Sequence, residues 1–291
     1  MFARDDPDRR GGPDARRRPV AVFDSGLGGL TVVRRILRRL GGEDVVYLGD
    51  SARVPYGIKS PETIRQFALQ DMAFLLRFDP KVMVVACNTA SSVALDALES
   101  ACPATVVGVV GPVCALAAER AGGGPVAVIG TEATIASGAH ARALAAAGVG
   151  EVLTAPAPLL VPIVEEGRAP DDPIVLSVLS DYLRALQRAR PPVLILGCTH
   201  YPLLAGAIAK LMGPGTSLLD PGEATADAVA AALAENRLQN PARAGTLRCF
   251  STDNPGRFAR LAGRFLGRDV GDVTWVGTDE LIAAGHGAAE T

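Results

Sequence analysis

This chain has few of the residues that disulfide frameworks, metal sites and pyridoxal chemistry need. Its 291 residues include only three histidines and five cysteines, without a Cys-x-x-Cys pair. This set argues against a disulfide framework, a structural zinc site and a histidine-rich metal centre. The only lysines are Lys59, Lys81 and Lys210, and none lies in a polar, glycine-rich motif that would suit a pyridoxal Schiff base. We therefore expect neither a metal nor a cofactor.

The chain also lacks a long apolar run and an excess of charge of one sign. No apolar run approaches the ~18–20 residues that span a bilayer, and the formal net charge is −2. We therefore expect neither a membrane nor a nucleic-acid partner. The segment 1–18 carries six arginines and four aspartates without an apolar stretch, unlike secretory or transit peptides. We expect a disordered tail over residues 1–17, order from Pro19 onward and a cytoplasmic location.

Short apolar strands alternate with helical patterns along the rest of the chain. Apolar runs at 19–23, 44–50 and 82–86 have the composition of parallel strands that are buried on both faces. A helix is predicted to begin at Ser60, with Pro61 at its first position, and to end near Leu76. This alternation predicts an α/β fold with mostly parallel sheets, and domains of ~100–200 residues would make two of them.

An internal repeat is the most informative feature of this pattern. The segment Pro19–Ser25 (PVAVFDS) recurs as Pro125–Thr131 (PVAVIGT), and two apolar strands end in Cys87 and Cys198. The sequence therefore predicts two similar units with one cysteine each, at the rim where open parallel sheets bind ligands. If the units face each other, the two thiols point into one cleft from opposite sides.

The paired cysteines indicate a proton transfer that inverts a carbon centre. Polar residues follow both Cys87 and Cys198, and a helix N-terminus expected after each would lower the thiol pKa towards neutrality. One thiolate can then remove a proton while the opposite thiol delivers another, in either direction. The remaining cysteines, Cys102, Cys114 and Cys249, are expected to be core residues.

Two further polar residues lie beside the predicted cysteine positions. Asp24 could orient a substrate ammonium group, help Cys87 to exchange its proton, or only cap the next helix. His200 could pair with Cys198 or have a structural role. The glycines of Gly26–Thr31 lack the third glycine of the G-x-G-x-x-G pattern, so we do not expect a dinucleotide site.

These residues and their neighbours resemble the glutamate racemases of the aspartate/glutamate racemase superfamily. The similar segments are Val22–Thr31, Tyr47–Asp50, Val54–Gly57, Ala86–Ala90, Ile129–Thr131 with Thr134, Val161–Glu165 and Leu196–Pro202. The related aspartate racemases usually carry glutamate at the position of His200, so this histidine favours glutamate as the substrate.

The resemblance implies a cofactor-independent interconversion of L- and D-glutamate that supplies peptidoglycan synthesis. The implied catalytic residues are Cys87 and Cys198 with Asp24, His200 and Glu165 as helpers, although Glu166 leaves the last assignment open. The implied substrate-binding residues are Asp24, Ser25, Pro55, Tyr56, Gly57, Asn88, Thr89, Thr131, Thr134, Thr199 and His200.

The resemblance also implies how the domains divide. One domain would comprise residues 18–108 and 218–291 and the other residues 109–217, with the active site in the cleft between two pseudosymmetric units. The partner would be a small-molecule substrate, and the oligomeric state is open, with a homodimer among the alternatives. Three other functions remain: a racemase for aspartate or another amino acid, a non-catalytic amino-acid-binding protein, and a cysteine amidohydrolase using Cys198 and His200.

Overall fold

The computed structural model describes residues 14–242 and 244–289. The strands are β1 Val20–Asp24, β2 Val45–Gly49, β3 Val82–Val85, β4 Thr105–Gly108, β5 Val126–Gly130, β6 Val152–Pro156, β7 Val193–Gly197, β8 Ser217–Leu219, β9 Leu247–Ser251 and β10 Val273–Trp275. The α-helices are α1 Leu30–Arg39, α2 Pro61–Leu76, α3 Asn88–Ala101, α4 Val110–Ala121, α5 Glu132–Ala136, α6 Ala139–Ala146, α7 Leu160–Glu165, α8 Pro173–Ala189, α9 Ala205–Met212, α10 Pro221–Glu235, α11 Pro255–Leu266 and α12 Thr278–Ala289.

The strands form two sheets whose topology repeats. The six-stranded sheet has the order β10-β9-β2-β1-β3-β4, and the four-stranded sheet has the order β6-β5-β7-β8. Every strand pairing in both sheets is parallel. Strands β6-β5-β7-β8 of the second sheet have the same relative order as strands β2-β1-β3-β4 of the first. The repeat in the sequence is therefore also a repeat of strand order. The predicted α/β fold of two similar parallel-sheet units is therefore confirmed.

Buried strands and amphipathic helices explain why the chain folds in this way. Val20–Phe23 of β1 and Val82–Val85 of β3 are buried along their whole length, because helices cover both faces of the sheet. Helix α1 buries Val32, Val33 and Ile36 and keeps arginines on its outer side. Helix α2 begins after the Ser60 cap with Pro61 in its first turn, as predicted.

Order begins earlier than the predicted Pro19. Most of the predicted disordered tail, residues 1–13, lies outside the described residues, but Ala15–Arg17 form a 3-10 turn. The buried Lys81 ammonium group pairs with Glu43 and donates hydrogen bonds to the carbonyls of Arg16 (2.6 Å) and Leu238 (3.0 Å). A buried ammonium group needs acceptors for its protons. Its hydrogen bond to the Arg16 carbonyl holds the segment before β1 in place.

The predicted domain division stays a prediction, to which the sheets add some support. The six-stranded sheet uses strands from residues 20–108 and 247–275, and the four-stranded sheet uses strands from residues 126–219. The predicted boundary at residue 217 falls within β8, which ends at Leu219. None of the helices in residues 14–242 and 244–289 combines the length and the apolar character needed to cross a membrane.

Candidate active site

The predicted site residues follow strands at equivalent points of the two sheets. In the six-stranded sheet the chain moves from β1 to β2 on one side and to β3 on the other, and the four-stranded sheet does the same around β5. Such a reversal opens a crevice at the carboxyl ends of the central strands. Asp24 ends β1 and Cys87 lies two residues beyond β3, while Thr131 follows β5 and Cys198 follows β7. The repeat therefore places one cysteine at the carboxyl-end crevice of each sheet.

Both cysteines line the same cavity, which has a volume of about 210 Å³. The lining residues are Ser25, Pro55, Tyr56, Gly57, Ile58, Cys87, Asn88, Thr89, Thr131, Pro158, Leu159, Val161, Pro162, Cys198, Thr199 and His200. The predicted residues Asp24, Thr134 and Glu165 are not among them. Asp24 and Thr134 are buried behind the cavity wall, and Glu165 reaches the cavity only through its contact with His200.

Cys87 is held as a thiol in this cavity. Its sulfur accepts a hydrogen bond from the N–H of Ala90 (3.5 Å) and donates one to the hydroxyl of Ser25 (3.6 Å). Burial, followed by the negative charge of Asp24, raises the pKa of Cys87 to about 12. The predicted lowering of this pKa is therefore wrong, although Cys87 does cap the N-terminus of α3. The loss of solvation outweighs the helix dipole.

Cys198 has a different environment from Cys87. No α-helix begins directly after Cys198, contrary to the prediction, because Tyr201–Leu204 form a 3-10 turn and α9 starts only at Ala205. Its neighbour is instead the imidazole of His200, whose Nδ1 lies 3.9 Å from the sulfur. The predicted pairing of Cys198 with His200 is therefore present in the structure.

His200 carries a proton that stabilises negative charge on its neighbours. Its Nε2 lies 3.0 Å from Glu165 Oε1. Burial alone would lower the pKa of His200, but hydrogen bonds and charge from Cys198 and Glu165 outweigh it and raise this pKa to about 10. The hydrogen bond to His200 in turn lowers the pKa of Glu165. Glu166 instead faces Arg168 at 3.7 Å on the surface, so Glu165 is the residue that meets the site.

Asp24 links the two sheets behind the cavity. Its carboxylate accepts hydrogen bonds from the N–H of Gly26 (2.9 Å) and from the hydroxyl of Thr199 (3.3 Å). Burial raises the pKa of Asp24, although the charge of His200 and these hydrogen bonds act in the opposite direction. Asp24 does not cap α1, whose N-cap is Gly29. Its influence on the site therefore passes through its charge near Cys87 and its bond to Thr199.

Hydroxyl and amide groups lie at the cavity wall and directly behind it. The hydroxyls of Thr89, Thr131 and Thr134 lie 2.8 to 3.1 Å from one another. The side-chain oxygen and nitrogen of Asn88 are buried and find no hydrogen-bond partner among the described residues. Buried amides are normally paired, so Asn88 is positioned to bind a ligand in the cavity.

Comparison with known proteins assigns this chain to a family. Residues 25–229 match the family model described as Asp/Glu/Hydantoin racemase. The chain belongs to that racemase family. A glutamate racemase of Geobacter metallireducens is 44% identical, over 87% of this chain and 94% of its own. One from Thermus thermophilus is 45% identical, over 90% of this chain and 98% of its own.

Solved racemases share the architecture over nearly their whole length. The glutamate racemase of Francisella tularensis, in complex with D-glutamate, matches with a TM-score of 0.85 and 36% identity, covering 91% of this chain and 99% of that one. The predicted resemblance is therefore confirmed, and the protein is an enzyme of the glutamate racemase group. Membership of this family sets aside the alternatives of a non-catalytic binding protein and of an amidohydrolase.

The glycine-rich turn of this racemase has a steric reason. A Cβ atom on Gly28 would lie 2.0 Å from the hydroxyl oxygen of Thr199 and 2.6 Å from Nδ1 of His200. Only a residue without a side chain therefore lets the turn after β1 approach the Cys198 side of the site. This close approach accounts for glycine at a position that also resembles a nucleotide-binding pattern.

Tyr56 lines the racemase cavity, and its hydroxyl group bonds to carboxylates outside the cavity lining. The hydroxyl contacts the buried carboxylates of Asp50 and Asp71, the latter at 2.9 Å. Arg53 pairs with the same two carboxylates at 2.7 and 2.8 Å. Sequence reasoning missed this supporting network, because its members lie in different elements. The only indication was the polar Asp50 at the carboxyl end of β2.

Replacing Tyr56 with phenylalanine tests this support. We expect Tyr56→Phe to lower the free energy of unfolding by about 1–3 kcal/mol, because buried carboxylates lose a donor. Urea denaturation measures the loss. The control is Tyr182→Phe. The Tyr182 hydroxyl accepts one long bond, from Leu159 N–H (3.4 Å), within the described residues, and its loss should cost about 0.5 kcal/mol or less. Equal losses in the two variants would contradict the assigned role.

Proposed function

We propose that the protein interconverts L- and D-glutamate by a two-base proton transfer, in which one of Cys87 and Cys198 removes the α-proton and the other delivers its own proton to the opposite face. The observation that carries this proposal is the single cavity lined by two cysteines from equivalent positions of two repeated sheets. Inversion by separate bases needs one acid–base group on each face of the carbon, and the repeat supplies a cysteine for each face. The relatives named glutamate racemases support glutamate as the substrate.

The two cysteines start from opposite protonation states in this mechanism. We assign the first deprotonation to Cys198, whose sulfur lies 3.9 Å from Nδ1 of His200, while Cys87 is held as a thiol. The Cys198 thiolate removes the α-proton from the enantiomer whose Cα–H bond points at it. The Cys87 thiol then delivers its own proton to the opposite face of the carbanion. The inverted amino acid leaves behind Cys198 as a thiol and Cys87 as a thiolate, which is the state that accepts the other enantiomer.

The carbanion needs stabilisation, because the α-proton is far less acidic than a thiol. The unpaired amide of Asn88 and the hydroxyl of Thr199 line the cavity and can donate to developing negative charge. The apolar side chains of Leu159, Val161 and Pro162 line another part of the cavity. They would exclude water and strengthen the polar contacts of a bound substrate.

A panel of amino acids tests the substrate assignment. We expect L-glutamate and D-glutamate to lose optical rotation at equal final extents, while aspartate, alanine and glutamine keep theirs over the same time. Polarimetry or chiral chromatography measures the loss. If aspartate were racemised faster than glutamate, aspartate would be the substrate. If none of the amino acids were racemised, the proposed activity would be contradicted.

D-Glutamate made in this way would supply peptidoglycan synthesis. The absence of a cofactor and the cytoplasmic location stay predictions, and the oligomeric state stays open. The division of roles among the site residues also belongs to this proposal: Cys87 and Cys198 are the bases. Asp24, His200 and Glu165 assist them.

A further inference from the structure

Thr31 is a buried residue of the glycine-rich turn for which the proposed chemistry has no direct use. It is the second residue of α1, and it is not among the residues that line the cavity. Its hydroxyl lies 2.8 Å from the carbonyl oxygen of Gly28 and 3.0 Å from that of Thr199. The Gly28 carbonyl already accepts the N–H of Thr31 at 2.9 Å. The hydroxyl is therefore within hydrogen-bond distance of two carbonyl acceptors, and one of them, that of Thr199, belongs to the segment after β7.

The contact of Thr31 with Thr199 crosses between the two sheets. Thr31 follows β1 of the six-stranded sheet, and Thr199 lies between Cys198 and His200 at the end of β7 of the four-stranded sheet. Thr31 therefore holds the carbonyl of the residue that separates Cys198 from His200. A shift of this residue would change the 3.9 Å separation of Cys198 Sγ from His200 Nδ1.

Helix α11 of the six-stranded sheet holds the same group from another side. The ring of Phe265 packs edge-on against the His200 ring with the centroids 5.2 Å apart. Arg264 donates a hydrogen bond to the carbonyl of Val164 (3.1 Å), the residue before Glu165. Both partners of the His200–Glu165 pair are thus supported by an element of the opposite sheet.

We propose that Thr31 is a positioning residue that aligns Cys198 and His200 by holding the Thr199 carbonyl across the boundary between the two sheets. This inference rests on the proposed two-cysteine function. The hydroxyl of Thr31 bonds to the segment that carries Cys198 and His200, and in the described part of the chain it has no hydrogen bond to Cys87 or Asp24. Its loss should therefore slow proton transfer at Cys198 more than proton transfer at Cys87.

The test compares Thr31→Val with a matched variant elsewhere. Thr225 is also buried and donates its hydroxyl proton to a carbonyl, that of Pro221 (2.7 Å), but this bond lies within α10. Thr31→Val and Thr225→Val each remove one buried hydroxyl, so their effects on stability should be similar. Only Thr31→Val should lower kcat, by about two- to tenfold, which is the value of one hydrogen bond. Thr31→Ser keeps the hydroxyl and should restore most of the rate.

The primary isotope effect supplies a readout that a purely structural role would not change. With α-deuterated glutamate, Thr31→Val should raise the isotope effect on kcat/KM for the enantiomer that Cys198 deprotonates and lower it for the other. Thr225→Val should leave both values as in the unaltered protein. Equal isotope effects in all three proteins, or a rate loss that Thr31→Ser does not restore, would overturn the assignment of Thr31. Failure of the proposed function would be distinct, because the unaltered protein would then not racemise glutamate at all.

Discussion

Replacing either Cys87 or Cys198 with serine should lower kcat/KM for glutamate by about 10²- to 10⁴-fold, the range for a positioned acid–base group. A serine hydroxyl is a much weaker acid than a thiol, so it can neither remove nor deliver the α-proton at a useful rate. The loss must be the same for both enantiomers, because they have equal free energies in water and the equilibrium constant is one.

Circular dichroism at a fixed wavelength follows the racemisation in each direction. The control is Cys102→Ser, which changes a partly buried cysteine at the end of α3, outside the cavity. It should keep nearly full activity. Full racemisation by Cys87→Ser or by Cys198→Ser would exclude that residue as one of the two bases.

The second large effect concerns the residues that assist the two thiols. We expect His200→Asn and Asp24→Asn each to lower kcat/KM by about 100-fold, the lower end of the range for a positioned acid–base group. His200 acts beside Cys198 (3.9 Å), whereas the charge of Asp24 acts on Cys87. Each variant should therefore raise the barrier at one thiol only.

Isotope effects separate the two variants even though their rates are similar. In His200→Asn the primary isotope effect should grow for the α-deuterated enantiomer that Cys198 deprotonates and shrink for the other. In Asp24→Asn the pattern should be reversed. The same pattern in both variants would show that Asp24 and His200 do not serve different thiols.

The fold followed from the sequence because buried parallel strands leave short, continuous apolar runs. The repeat of PVAVFDS as PVAVIGT placed β1 and β5 at equivalent positions, and the cysteine-ended runs did the same for β3 and β7. The shared cavity of Cys87 and Cys198 follows from that equivalence. The positions at which strands end are local features of the chain, so a sequence pattern can indicate them.

Properties that depend on distant parts of the chain could not be predicted in this way. The raised pKa of Cys87 reflects burial and the nearby Asp24, which no local pattern reports. A prediction from the helix dipole alone gives a lowered pKa, because it leaves out the loss of solvation on burial. The supports of the site also join distant segments, as in the bond of Thr31 to Thr199.

Following solvent deuterium into each enantiomer is the most direct test of the two-thiol mechanism. One unlabelled enantiomer of glutamate is incubated with the protein in D₂O and analysed by mass spectrometry after a small conversion. Our account predicts an α-deuteron in the product enantiomer and almost none in the recovered starting enantiomer, because separate thiols remove and deliver the proton. Deuterium entering the starting enantiomer as fast as the product would mean that a single base serves both faces, and would contradict the account.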